Sequence, residues 1–413
     1  MIARSESWPR PAESIWAALA VAALAVLAFK GSWSLLHHGF YKHSNIIDTP
    51  IYQTYGAAIA RDRVPYRDFQ LEYPPGALPV FVLPALGEKE QHDLDAYNHA
   101  FARLMWLCGA AVLVLMAATL RAVRASLLRI TGALAFAAVA PLALGPVVLS
   151  RFDLWPAALT AGAIAALVAG RRLLALLMLG LATTAKLYPA VLLPLALVHV
   201  WRREGARAAA GAATAFAAAI VAVSAPFVAL SPGGVWHSVT AQTSRPLQIE
   251  SLGSSLLLAA HQVAGVDLTM VSSYGSQNLA GSLPDAFASA QAALLVVVLL
   301  ALWIAFARGP ADRERFLRYA AASVCAFVAL AKVLSPQFVI WLIPLVPLVR
   351  GRRGLAATAL LGAALVSTQL WFPYRYWRLA LDFAAFPSWM VFARDLLLLA
   401  LLAVLTLPRH RHA

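Results

Sequence analysis

The sequence predicts an all-α fold, a polytopic transmembrane helical bundle, and three observations predict it. The 413 residues are 61% hydrophobic and only 13% charged, roughly half the charged content of an ordinary soluble domain. The apolar residues fall in runs of roughly twenty, the length that crosses a bilayer as a helix. Short Arg tracts separate those runs, as in the cytoplasmic loops of multi-pass membrane proteins. The net charge of +14 therefore reads as a topology signal. A nucleic-acid-binding module would need its basic face on a water-exposed fold, so no nucleic-acid partner is expected.

Taken in order, Arg4 and Arg10 precede a first apolar run, Trp16 to Leu36, longer than a signal-peptide core and read as a retained span. The polar stretch from His37 to Gly76 follows. Ala77 to Leu86 is apolar but about half a crossing long, which suggests an interfacial or re-entrant helix. Glu88, Lys89, Glu90, His92, Asp93 and Asp95 then form a solvated tract. Span two is Tyr97 to Leu120, followed by Arg121, Arg124 and Arg129; span three is Ile130 to Leu149. A tight turn holds Arg151 and Asp153, and span four ends at Arg171 and Arg172. Leu173 to Trp201 is interrupted by Lys186-Leu187-Tyr188-Pro189 and reads as two short spans ahead of Arg202, Arg203 and Arg207. Ala208 to Leu230 leads to a second polar loop, Ser231 to Pro284. A span to Phe306, the tract Arg308 to Arg318 and a span to Ala331 follow. Lys332, Ser335, Pro336 and Gln337 interrupt the next pair of runs, which returns at Arg350, Arg352 and Arg353. A span to Phe372, a loop from Pro373 to Pro387 and a last span lead to Arg409 and Arg411.

With the N-terminus inside and the spans alternating, every Arg tract lands in the cytoplasm. The expectation is about twelve crossings in a single integral membrane domain over residues 1–413. Residues 1–15 would be cytoplasmic, and the two long extracytoplasmic loops would cover 37–96 and 231–284. All the unusual polar motifs then share the outer face.

Asp48 lies between Ile47 and Thr49-Pro50. Proline at a first helical turn makes Asp48 an ordinary N-terminal carboxylate or a general base at the membrane boundary. Among the other outer-face acids, Asp62 lies between Arg61 and Arg63, and Asp68 follows Tyr66-Arg67 in a turn. Glu72 is the rival base, because Tyr73-Pro74-Pro75-Gly76 makes a rigid turn that could aim it into the cavity. Tyr52, Tyr66, Asp68 and Tyr73 could contact a sugar through ring faces and hydroxyls. Lys186 and Lys332 break apolar runs, where a charge costs about 2.5–3.5 kcal/mol. They either snorkel or seat an anionic headgroup. Arg151 could share that duty, with Asp153 beside it as its simplest partner. Tyr188, Gln337, Arg245, Glu250 and His261 complete the candidates. Cys108 and Cys325 sit in apolar runs and serve packing. No Walker loop, zinc-protease motif or Cys-rich spacing is present, so no metal and no nucleotide cofactor is expected.

These residues together resemble the polytopic GT-C glycosyltransferases, family 87 most of all, the polyprenyl-phosphate-mannose-dependent mannosyltransferases of actinobacteria and related membrane proteins. The resemblance is carried by Asp48 after the first span, Pro65-Tyr66-Arg67-Asp68 to Glu72-Tyr73-Pro74-Pro75-Gly76, Arg151-Phe152-Asp153 to Pro156, Lys186-Leu187-Tyr188-Pro189, and Ser335-Pro336-Gln337 ahead of Trp341 and Pro344. It implies an inverting enzyme on the outer face of the cell membrane. The donor would be a sugar, mannose first, on a polyprenyl phosphate. The acceptor would be a lipid or glycan hydroxyl, deprotonated by a first-loop carboxylate. The family's paired acid is missing beside Asp48. A transporter or flippase for a polyprenyl-linked lipid is the competing class, as is a non-catalytic lipid-binding relative. Transporters favour internal repeats and midplane charges, whereas the charges here fall at helix ends.

Overall fold

The computed structural model describes residues 11–42, 46–86 and 93–407. Arg4, Arg10, His43, the tract 87–92 and Arg409 to Arg411 lie outside the described residues. Helix α1 (Pro11–Leu35) leads to a first polar segment containing α2 (Thr49–Ala60) and α3 (Leu78–Ala85). Next come α4 (Leu94–Ala122), α5 (Leu127–Leu144), the single turn α6 (Val147–Ser150), α7 (Leu154–Val168) and α8 (Arg172–Ala185). A 3-10 turn, Tyr188–Leu192, opens α9 (Leu193–Glu204), and α10 (Ala206–Leu230) follows. The second polar segment holds α11 (Pro232–Thr243), β1 (Leu247–Gln248), α12 (Leu252–Ala264), β2 (Thr269–Ser273) and β3 (Ser276–Ala280). The chain closes with α13 (Ser282–Arg308), α14 (Arg313–Leu330), the 3-10 segments Pro336–Leu342 and Val346–Leu348, α15 (Gly351–Trp371), α16 (Tyr376–Ala380) and α17 (Ala385–Thr406).

Among the described residues, seven helices are long and apolar enough to cross a membrane: the α1 stretch Ile15–Leu35, and α4, α5, α10, α13, α15 and α17. In lipid every backbone amide must be satisfied within the protein, which makes helices the only open-chain solution. The remaining apolar segments, α7, α8 and Pro336–Leu348 among them, are shorter. They occupy the middle of the bundle, where α7 packs on α4 and α8, and α8 on α10. Residues such as Leu176, Val324 and Leu342 are fully buried there.

The Arg tracts gather at one end. Arg129 pairs with Glu314 at 2.5 Å and also reaches the Leu348 carbonyl. Arg172 pairs with Glu204 at 2.5 Å. Arg202 donates to Ala307 O, Arg313 to Ala122 O and Arg353 to Leu407 O. The polar breaks at Asp48, Arg151, Lys186 and Lys332 meet at the opposite end.

One local expectation is corrected. The third run does not continue to Leu149. Helix α5 contains Pro141 and stops at Gly145, whose φ of 87° only glycine adopts freely, so Val147–Ser150 forms its own turn. The second polar loop also carries a small sheet, ordered β1-β3-β2 and antiparallel, with Leu247 opposite Leu279 and Met270 opposite Leu279. Tyr274 and Gly275, both at positive φ, make the two-residue turn between β2 and β3, the geometry whose twist suits a hairpin.

Candidate functional site

Asp48 stands at the N-cap position of α2, yet its carboxylate makes no capping hydrogen bond. Pro50 needs no amide partner in that first turn. The carboxylate is free to turn away, and one oxygen pairs with the Arg151 guanidinium while the other accepts from Tyr52 Oη at 3.3 Å. Asp48 keeps 25% of its side chain exposed, against 7% for Arg151. The cap reading of Asp48 is therefore displaced by a long-range ion pair.

Tyr52 is held by an aromatic cluster beneath this pair. Its ring stacks on Phe81 at 4.5 Å and meets Tyr73 and Phe152 edge-on at 5.8 and 5.7 Å. Two glycines bring the elements close enough. A Cβ on Gly56 would lie 2.3 Å from the Phe81 carbonyl, and one on Gly76 would lie 2.4 Å from Thr184 Oγ1. The Pro-Pro-Gly turn is thus seated on the end of α8, and Trp155 Nε1 fixes it by donating to Gly76 O at 3.0 Å.

Asp153 does not pair with Arg151, its neighbour two residues back. It is 1% exposed, and its Oδ1 accepts from Lys186 Nζ and Trp341 Nε1, both at 2.7 Å. Lys186 therefore points inward. Its ammonium lies 4.6 Å from the Phe152 ring centre and 5.1 Å from those of Phe338 and Trp341. Cation–π attraction of this kind grows as water is excluded. Trp341 stacks on Tyr188 at 4.0 Å, and the Tyr188 hydroxyl meets Thr160 Oγ1 at 3.1 Å. Burial pushes the Arg151 guanidinium down to about 10, against the pull of Asp153 and Glu250. Burial likewise lowers Lys186, and Asp153 opposes that shift.

A second layer joins this centre to the later loop. Glu250 is 1% exposed. Gln248 Nε2 donates to its carboxyl at 2.5 Å and to Ser335 Oγ at 3.1 Å, while the Gln248 amide donates to Lys332 O at 3.0 Å. Burial raises the Glu250 carboxyl to about 8, although Arg394 and Arg151 pull it down. Lys332 thus meets the loop through its backbone. Gln337 Oε1 is buried without a hydrogen-bond partner among the described residues. Arg245 donates to Tyr274 O and Ser276 Oγ, both at 3.0 Å.

Other candidates are placed differently. Glu72 is exposed and faces the β2–β3 turn, where a Cβ on Gly275 would lie 3.6 Å from its carboxylate. Tyr73 lies between Tyr52 and Phe152. Tyr66 donates to Tyr73 O at 2.6 Å and accepts Ser231 Oγ at its own carbonyl at 2.9 Å, tying the first polar segment to α11. Asp68 accepts from Val64 N at 2.7 Å and pairs with Arg67 at 2.8 Å, closing a surface turn. The Arg67 pair holds Asp68 down to about 2. His261 Nδ1 hydrogen-bonds Val266 O at 2.7 Å, just past the end of its own helix.

Two residues of this layer escaped the sequence reading. Arg394 and Asp395 form a 2.7 Å pair inside α17, at 0% and 1% exposure, and Arg394 donates to Glu250 O at 2.5 Å. Their signal is two adjacent charges inside an apolar run, which marks a functional place in a membrane helix. Among the described residues no group of three or more His, Cys, Asp or Glu side chains converges to hold a metal ion.

The arrangement is a partly exposed carboxylate beside buried cations, above a box of aromatic rings. It suits a reaction in which one group loses a proton while another gains negative charge. A search of curated proteins returns no match. Among solved structures the chain is similar to ArnT from Cupriavidus metallidurans, crystallised bound to undecaprenyl phosphate, at 15% identity and a TM-score of 0.49, covering 94% of this chain and 76% of that one. The family model described as Glycosyltransferase family 87 matches residues 71–336. That segment is more than half of the chain and carries Glu72, Arg151, Asp153, Lys186, Glu250 and Lys332; this apolar, many-helix protein belongs to glycosyltransferase family 87.

Proposed function

We propose that this glycosyltransferase moves a sugar, mannose foremost, from a polyprenyl-phosphate-linked donor to a lipid or glycan hydroxyl on the extracytoplasmic face, with inversion. The observation that carries the reading is the contact between Asp48 and Arg151. It sets a proton acceptor beside a cation whose Nε is buried without a hydrogen-bond partner among the described residues. Mannose and the polyprenyl carrier rest on the resemblance of these motifs to the mannosyltransferases of this family.

The reaction balances as a single in-line displacement. The acceptor oxygen forms a bond to the anomeric carbon, and the bond from that carbon to the phosphate oxygen breaks. The acceptor proton passes to Asp48, and the lipid phosphate leaves with the electron pair. Arg151 and Lys186 stabilise the charge that develops there, because preorganised cations in a dry site need no reorganisation. The carrier's chain supplies binding through burial of its methylenes, about 0.8 kcal/mol each. One displacement inverts the anomeric centre.

The outer-face assignment follows from charge. The Arg-lined end of the bundle suits the cytoplasm, which leaves the Asp48–Arg151 end outside. Alternation of all the apolar segments between the two ends then gives about twelve crossings.

The test is Asp48→Asn, which keeps shape and removes the base. Transfer from a radiolabelled polyprenyl-phosphate sugar should slow by about 10²-fold or more, with donor binding retained. If Asp48→Asn turns over normally while Glu72→Gln is inactive, the assignment fails and Glu72 is the base.

A further inference from the structure

A second site lies on the side of the bundle, away from Asp48. Helices α1 and α4 are in close contact at Gly109, where a Cβ would lie 2.3 Å from Phe29 Cζ. Toward the polar end they part around a cavity of about 540 Å³, lined by Trp33, His37, Ala96, His99, Arg103 and Trp106. The α4 residues recur at helical spacing and form one face. Trp33 on α1, and His37 just past its end with Nδ1 hydrogen-bonded to the Trp33 carbonyl at 3.0 Å, answer them. Ala96 and Ala100 leave the room that larger side chains would fill.

The Arg103 guanidinium brings spare donors to this cleft. Arg103 uses its Nε on the His99 carbonyl at 3.2 Å, and its terminal nitrogens have no hydrogen-bond partner among the described residues. Trp106 Nε1 is sealed from the cavity, so the indole offers the cleft its ring. Among the described residues no carboxylate lines the cavity, and Asp93 at the start of α4 is occupied by the Ala96 amide at 2.9 Å.

The level of the cleft in the membrane follows from the sequence. Between Arg103 and Arg121 the chain carries no charged residue, and that stretch is about the minimum for a crossing. Arg103 therefore sits at a hydrocarbon boundary, and Trp33 and Trp106 match the interfacial aromatic belt. Leu107, one turn from Arg103 on the same face of α4, is 56% exposed and offers an apolar wall for acyl chains.

We propose that this cleft seats the phosphate headgroup of an anionic membrane phospholipid, which Arg103 binds between the Trp33 and Trp106 rings. The lipid fills the gap between α1 and α4 and fixes α1, which carries the chain into the first polar segment.

The test uses the full-length protein in nanodiscs of phosphatidylglycerol and phosphatidylcholine, with retained lipid read by native mass spectrometry. Wild type should retain phosphatidylglycerol in preference. Arg103→Gln should lower that retention about fivefold, the effect of one basic residue at an anionic surface. Ala100→Leu fills the cleft and should also lower it; it serves if Arg103→Gln does not purify folded. Equal retention of the two lipids by wild type would overturn the proposal, and so would unchanged retention in both variants. Sugar transfer is not the readout, so this outcome stands apart from the assignment of Asp48.

Discussion

Asp153→Asn gives the sharpest test of how the centre is held together. Asp153 is a buried anion that accepts from Lys186 and Trp341 at 2.7 Å. The amide keeps the shape and one hydrogen bond but removes the charge, leaving Lys186 among Phe152, Phe338 and Trp341. Removing one member of a buried ion pair costs about 3–5 kcal/mol. The loss should fall near the low end of that range, because burial already lowers the Lys186 pKa and the amine can shed its proton. One kcal/mol shifts Tm by about 2–4 °C in chains of 150–250 residues and by less in longer ones. The expected fall is therefore on the order of 5 °C, read by dye-monitored unfolding in detergent. Lys186→Met alone should destabilise similarly by stranding Asp153. The double variant, with neither charge, should regain most of the loss, because the penalty belongs to an uncompensated charge rather than to a missing contact. Simple additivity of the two single losses would refute this reasoning.

Burial raises the Glu250 carboxyl to about 8, above about 4.3 for an unfolded glutamate. The native chain then binds more protons between those values, so this contribution to stability is complete below pH ~4 and is lost as pH rises through ~8. Glu250→Gln should flatten the slope of Tm against pH over that window, and an unchanged slope would place its origin elsewhere. Arg394→Met should destabilise by about 3–5 kcal/mol by stranding Asp395, with recovery on adding Asp395→Leu measured in the same melt. A cysteine at Leu187, which is 40% exposed, in a protein lacking Cys108 and Cys325, should react with a membrane-impermeant thiol reagent added outside intact cells. Reaction only after the inner face is opened would reverse the orientation.

The bundle was legible in the sequence because lipid leaves few choices. Apolar runs must become helices to satisfy their own amides, and Arg between runs marks one end. The contacts of Arg129 with Glu314, Arg202 with Ala307 and Arg353 with Leu407 bring together the tracts that alternation assigns to one face. Asp48, Arg151, Asp153, Lys186 and Glu250 were legible as candidates for the same reason, since polar residues stand out against an apolar chain. The second loop's sheet was less so: its strands are two to five residues long, too short for periodicity to register.

Only the tertiary structure decided the partnerships. Proximity in sequence suggests Arg151 for Asp153, but Arg151 is extended while Asp153 begins α7, and their side chains diverge to separate partners. Arg151 meets Asp48 from the first polar segment, and Asp153 meets Lys186 from the end of α8. The Arg394–Asp395 pair shows the converse case: within α17 two charges vanish in the average hydropathy of the run, and their purpose is set by Glu250 from a distant loop. Composition and spacing determine where a chain enters and leaves the membrane, because that free energy adds residue by residue. The choice of partner for a buried charge depends on distance and desolvation among segments far apart in the chain, and only their packing sets those.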